Sequence, residues 1–132
     1  MGEVAVILVD SDVVISLLRG NPRAVDFLAQ AATADTLAVS VVTLTEVTGG
    51  MRSGERRAVA GLFNQLRIEP VTEMVAHRAG QLMRQYRASH GGIGVADYLI
   101  AATAEHTGAQ LATLNVRHYP MFNGLQPAFK LS

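Results

Sequence analysis

Val4-Ala5-Val6-Ile7-Leu8-Val9 is apolar without a break and rich in β-branched residues, and it runs straight into Asp10. A strand with one face in water alternates apolar and polar residues. A continuous apolar run of this length fits a strand covered on both faces, the environment of a parallel sheet. Parallel strands need long crossover connections, usually helical. The opening segment therefore already points to an α/β chain.

The rest of the sequence supplies those crossovers. Ser11–Arg19 reads as a short helix, with Gly20 as its stop. Arg23–Ala32, behind Pro22, reads as a second helix, and Thr36–Val41 as a second strand. Thr43–Arg52 is expected to be helical, weakened or bent at Gly49-Gly50, and Glu55–Leu66 follows as another helix. Ile68–Val71 contains Pro70 and reads as a short strand near an edge. Thr72–Ser89 is amphipathic, with Val75, Ala79, Leu82, Met83 and Tyr86 on one stripe. The loop His90–Gly94 leads into Val95–Thr107, a helix apolar nearly all round, which should be buried and stopped by Gly108. Gln110–Leu114 reads as a strand and Phe129–Leu131 as a last short one. This order implies an α/β/α sandwich on a mostly parallel central sheet of four to five strands. With 132 residues, 49% of them apolar, the chain is expected to form a single domain over 1–132.

Composition removes several function classes. Eleven basic residues balance 11 acidic ones, so sequence-independent binding to nucleic acid by bulk charge is excluded. There is no Cys, hence no disulfide, thiolate metal site or cysteine nucleophile. No apolar stretch approaches the roughly 20 residues of a membrane helix. Met1-Gly2-Glu3 lacks the positive charge that opens a signal peptide. The expectation is a cytoplasmic protein with no membrane association.

Four acids stand out because of their neighbours. Asp10 and Asp12 follow the apolar strand, Glu46 lies in Val41-Val42-Thr43-Leu44-Thr45-Glu46-Val47, and Asp97 lies in Val95-Ala96-Asp97-Tyr98-Leu99-Ile100. None has a Lys or Arg within four positions. Buried carboxylates without partners are costly. Ligands of open parallel sheets bind beyond the carboxyl ends of the strands, where Asp10 and Glu46 fall and where Asp97 can join them. Clustered carboxylates repel unless a cation compensates, and an all-oxygen donor set suits Mg²⁺ or Mn²⁺. Such an ion fits phosphodiester hydrolysis. Local readings stand beside this one. Asp10 or Asp12 can cap a helix, Thr43-Leu44-Thr45-Glu46 matches a capping box, and Asp97 in a first turn suits the helix dipole.

The segment Val9-Asp10-Ser11-Asp12-Val13-Val14-Ile15-Ser16-Leu17-Leu18-Arg19-Gly20 resembles the opening motif of PIN-domain ribonucleases, an apolar strand and Asp-Thr-Asn followed by an apolar helix. Ser40–Val47, Gly92–Ala104 and Leu111–Tyr119 resemble the family's three later segments, in the same order. The likeness spans essentially the whole chain and is nearest to the VapC-type toxins of bacterial toxin–antitoxin pairs. The resemblance implies a Mg²⁺- or Mn²⁺-dependent endoribonuclease that hydrolyses RNA with a metal-activated water. It also implies a homodimer, and a hetero-oligomer in which a VapB-like antitoxin inhibits it. By matching position, Asp10 and Asp97 would be metal ligands and catalytic. Glu46 would join them through water or orient the attacking water. In the resemblance the antitoxin lies in a groove over the early helices, for which Val14, Leu17, Leu18 and Phe27 supply apolar surface or plain core. Two positions depart from the pattern. His118 stands where the family commonly has a further Asp, and Asp12 stands where Asn is usual. Thr113, Asn115, His118 and Asp12 are therefore auxiliary candidates.

RNA would need cations beside the acidic pocket. Arg84, Arg87 and Arg117 are the candidates, with Arg52, Arg56 and Arg57 as another cluster. Aromatic residues are only 5% of the chain, so recognition should lean on phosphate and shape rather than stacking. Two rivals remain. A haloacid-dehalogenase-like phosphatase would use Asp10 as nucleophile and Asp12 as acid/base. It also needs a Lys at the phosphate, and the one Lys here is Lys130. The other is a catalytically weak PIN-like binding protein, because His118 replaces an acid.

Overall fold

The computed structural model describes residues 4–130. Strand β1 (Val6–Val9) leads into helices α1 (Ser11–Leu18) and α2 (Pro22–Ala34), then strand β2 (Thr36–Ser40). Helices α3 (Val41–Gly50) and α4 (Arg56–Phe63) connect to β3 (Arg67–Glu69). Helices α5 (Glu73–Tyr86) and α6 (Val95–Thr107) connect to β4 (Gln110–Ala112), and a short 3₁₀ turn, Val116–His118, follows. The sheet order is β3-β2-β1-β4 and every pairing is parallel.

The continuous apolar run is explained by β1's central place. Leu8 points into one core, with Val75, Ala79, Leu82, Tyr98, Ile100 and Ala101 from α5 and α6. Ile7 and Val9 point into the other, with Val13, Val14, Leu28, Val47, Val59 and Phe63 from α1 to α4. Helices thus cover both faces, as the expected α/β/α sandwich requires. The stripe on α5 buries Val75, Ala79 and Leu82, with Met83 and Tyr86 partly buried against the same cluster. Six residues of α6 are buried, and Gly108 ends that helix with φ +67°, a left-handed conformation that glycine adopts without a Cβ clash.

Some boundaries differ from the sequence expectation. β3 covers Arg67–Glu69, so Pro70 lies just beyond it, and it is an edge strand. Helix α3 starts at Val41, three residues before the capping-box reading would place it. Ser40 caps it, accepting the Val42 N–H at 3.0 Å. Helix α3 ends at Gly50 rather than bending through it. The expected last strand does not form at Phe129-Lys130, and Leu131 lies outside the described residues. Phe129 instead packs its ring against Phe27, 6.1 Å between centroids.

This topology sets the site. β1 is flanked by β2 on one side and β4 on the other, so crossovers leave it in both directions. Its carboxyl end is the switch point at which parallel sheets hold ligands. Asp10 follows β1 there, and its N–H extends the ladder to the Ala112 carbonyl at 2.9 Å.

Candidate active site

Asp10 serves two purposes. It is the N-cap of α1, with Oδ1 accepting from the Ser11 N–H at 2.8 Å. Oδ2 points the other way and accepts from the Thr113 hydroxyl at 2.8 Å and the Tyr119 hydroxyl at 2.9 Å. Only 6% of the residue is exposed. Burial pushes its carboxyl above the usual range against these donors, and the charge of Asp97 adds to the rise.

Asp12 lies one residue into α1 and turns toward the end of β4. Its Oδ2 accepts from the Leu114 N–H at 3.0 Å and stands 3.3 Å from the Thr113 hydroxyl. Its Oδ1 is buried with no hydrogen-bond partner among the described residues. Burial, and then the charge of Asp10, push Asp12 up to about 6. Thr113 is wholly buried and knits the two acids together, and its oxygen also accepts the Asn115 N–H at 3.0 Å. Asn115 thus enters through its backbone, and the residue is exposed.

Glu46 stands on the exposed face of α3, yet its carboxylate reaches inward. Its Oε1 accepts from the Ser11 hydroxyl at 2.6 Å. Thr43, on the same helix and fully buried, places its hydroxyl 3.3 Å from that of Ser11. The Thr43–Glu46 pair is therefore part of a contact between α1 and α3, not a capping box.

Asp97 closes the network from the first turn of α6. Its Oδ2 accepts from the Gly94 N–H at 3.2 Å and lies 3.1 Å from Nδ1 of His118. Its Oδ1 lies 3.4 Å from the Tyr119 hydroxyl, which thus spans Asp10 and Asp97. Burial and the nearby carboxylates push the Tyr119 phenol upward, so it remains a donor. His118, expected as an auxiliary residue, contacts Asp97 directly.

Asp10, Asp12, Asp97, Thr113 and His118 therefore converge, and Glu46 joins through Ser11. Ser11, Thr43 and Tyr119 are members that the sequence reading did not single out. Tyr119 had one signal: an aromatic residue in an aromatic-poor chain, just after the last motif. Arg117 and His118 line a pocket beside Asp97, whereas Arg84 and Arg87 stand exposed at the end of α5 and do not line it. Arg52 and Arg57 are likewise exposed, and Arg56 lines a separate apolar pocket under α4.

The donors fit a hard divalent cation in kind: acidic oxygens, two of them desolvated, with Asp12 Oδ1 orphaned. Among the described residues, no three Asp, Glu or His side chains are drawn together at ligand spacing. The hydroxyls of Ser11, Thr113 and Tyr119 stand between the acids and hold them there.

The model of the PIN domain family matches residues 7–120. Ribonuclease VapC10 of Mycobacterium tuberculosis is 55% identical over 123 residues, 93% of this chain and 92% of that protein. Ribonuclease VapC19 of the same organism is 42% identical over 123 residues, 92% and 98% of the two chains. A toxin–antitoxin complex from Klebsiella pneumoniae contains a chain of the same fold. Its TM-score is 0.77 at 23% identity, covering 94% of this chain and 98% of that one.

Proposed function

The chain belongs to the PIN-domain family, beside the VapC ribonucleases, and from that premise we propose that it is a Mg²⁺- or Mn²⁺-dependent endoribonuclease. In this reading it acts as one PIN-like domain in the cytoplasm, as the toxin of a toxin–antitoxin pair. The observation that carries the reading is the joining of Asp10, Asp12 and Asp97 through Thr113 and Tyr119 at the switch point of the sheet.

Asp10 and Asp97 would hold the cation, with Glu46 contributing through water and Asp12 beside them. When bound, the cation offsets charge on the phosphoryl oxygens and lowers the pKa of a coordinated water. Thr113 and Ser11 fix the rotation of Asp10 and Glu46, so the acids need not reorganise as the phosphate reacts. Glu46, tied at Oε1, keeps Oε2 to accept a proton from the attacking water. Tyr119 keeps its own proton and holds Asp10 and Asp97 a fixed distance apart.

The partners follow from the same family reading: an RNA substrate, a VapB-like antitoxin and a second copy in a homodimer. An apolar crevice of about 250 Å³ over α1, α2 and α4, lined by Val14, Leu17, Val25, Leu28, Leu62 and Leu66, supports an antitoxin segment packing there. The phosphatase alternative lacks its cation. Lys130 lines a pocket with Arg23 and Phe27, on the α2 side of the molecule. Among the described residues, no helix is long and apolar enough to cross a membrane.

The test uses purified protein, freed of antitoxin, with structured RNA and Mn²⁺ or Mg²⁺, beside Asp10→Asn. Cleavage that needs the metal and falls by a hundredfold or more (on the order of the effect of losing a charge-stabilising group) in the variant supports the reading. Equal behaviour of the two proteins, or hydrolysis of a small monoester without RNA cleavage, sinks it.

A further inference from the structure

β4 is an edge strand, so in this sheet its side away from β1 has no strand to pair with. The Thr113 carbonyl, one residue beyond β4, nevertheless accepts the Ala128 N–H at 2.9 Å. That bond closes residues 113–128 into a loop whose ends meet. Within the loop, the Leu114 N–H binds Asp12 and the Asn115 N–H binds the Thr113 hydroxyl, each at 3.0 Å. The same loop carries Tyr119, whose hydroxyl lies 2.9 Å from Asp10 and 3.4 Å from Asp97. It passes over the edge of the sheet. Met121, Phe122 and Leu125 pack on the α5–α6 core, whereas Ala128 and Phe129 pack on the core under α1 to α4. Its closing end is tied to α2, where the Phe129 ring meets Phe27 and Nη1 of Arg23 donates to the Lys130 carbonyl at 3.1 Å.

Thr113 is wholly buried, so its carbonyl would lose a partner without gaining water if Ala128 moved away. The Thr113 peptide would turn to find another. The hydroxyl on the same residue, which holds Asp10 at 2.8 Å and faces Asp12 at 3.3 Å, would turn with it. Ala128 has only a methyl group to anchor it, and Pro127 before it has no N–H to give. The large apolar group at this end of the loop is the half-buried Phe129. We propose that Phe129 is a positioning residue for the reaction: seated against Phe27, it holds the Ala128–Thr113 clasp shut and so sets Thr113 and Tyr119 against Asp10, Asp12 and Asp97. The catalytic part of this inference rests on the nuclease reading, and the clasp itself is testable without RNA or metal.

Native-state hydrogen exchange, read by NMR in chelator, tests the clasp. Phe129→Ala should speed exchange of the Leu114 and Asn115 amides by about tenfold or more relative to the Leu82 amide in α5, as a local opening does. A general loss of stability would move all three alike. Ala128→Pro, which deletes the donor itself, should act the same way and decides the matter if Phe129→Ala does not fold. Phe129→Leu keeps an apolar anchor and should restore most of the protection. With Mn²⁺ and RNA, kcat of Phe129→Ala should fall about ten- to hundredfold, the cost of misplacing a reacting constellation, while KM stays within about twofold. Val59→Ala, a truncation in the same core on α4, should lower the melting temperature and leave kcat nearly unchanged. Leu114 and Asn115 amides that keep pace with Leu82 in the variants, or a kcat loss that Val59→Ala matches, overturn the positioning role and leave the nuclease reading intact. A wild type that cuts no RNA overturns the nuclease reading and the catalytic role with it, whatever the amides do.

Discussion

Asp12 is held where a charged carboxylate is costly. It has one oxygen satisfied by a backbone N–H, one with no partner among the described residues, and the Asp10 carboxyl beside it. An acid whose pKa is raised on folding, here from 3.8 to about 6, binds its proton more tightly folded than unfolded. Its cost to stability is absent below about pH 4, grows through the interval to about 6, and is complete above it. Asp10 is shifted in the same direction. Asp12→Asn keeps an acceptor for the Leu114 N–H and removes the charge. The stability gain of that variant over wild type should therefore be near zero at pH 4 and grow to about 1–3 kcal/mol at pH 7. Urea titrations at both values measure it, and a gain that shrinks with rising pH would contradict this account. Asp10, Asp12 and Asp97 were legible in the sequence through their recurrence at comparable edge positions of apolar elements, since each taken alone also has a local reading as a cap or a first-turn acid. Ser11 and Thr43 were not, because a small hydroxyl residue is at home almost anywhere and only the meeting of α1 with α3 makes these two significant.

Helix α3 shows how local pattern and tertiary contact compete. Thr43-Leu44-Thr45-Glu46 has the spacing of a capping box, yet the helix already starts at Val41, capped by the fully buried Ser40. That earlier start moves Glu46 into the second turn and aims it at Ser11. Ser40→Ala should cost about 1 kcal/mol of stability, the usual worth of a lost cap. It should also reduce RNA cleavage by more than it reduces RNA binding, because Glu46 rides on the helix that Ser40 starts. A thermal melt and a kcat and KM determination check the two halves, and an unaltered melt would remove Ser40 from this role. The elements that the sequence made plain are those with long periodic or continuous patterns: β1, α5 and α6. β3 and the expected final strand, which does not form at Phe129-Lys130, were blurred, since a strand of three residues leaves too little alternation to read.

Across the whole molecule, the site depends on the sheet order more than on any one element. β4 is the last strand in sequence but pairs with the first, and so Thr113 and Asp10 meet across 103 positions. Parallel α/β architecture could be read from the chain. The place of β4 beside β1 depends on how the crossovers pack, which no local pattern encodes. The same geometry gives the protein an optical handle. The chain has no Trp and three Tyr, and one of these, Tyr119, donates its phenol proton to the Asp10 carboxylate. A phenol bonded to a carboxylate loses its excited state by proton transfer and emits weakly. A cation that draws on the lone pairs of Asp10 and Asp97 relieves that quenching. Titration with Mg²⁺ should brighten the tyrosine emission saturably, and Tyr119→Phe should erase the change. An increase that persists without Tyr119 would place the signal elsewhere. That titration would follow occupancy of the acidic site by light from the protein itself, with no RNA, antitoxin or label in the cuvette.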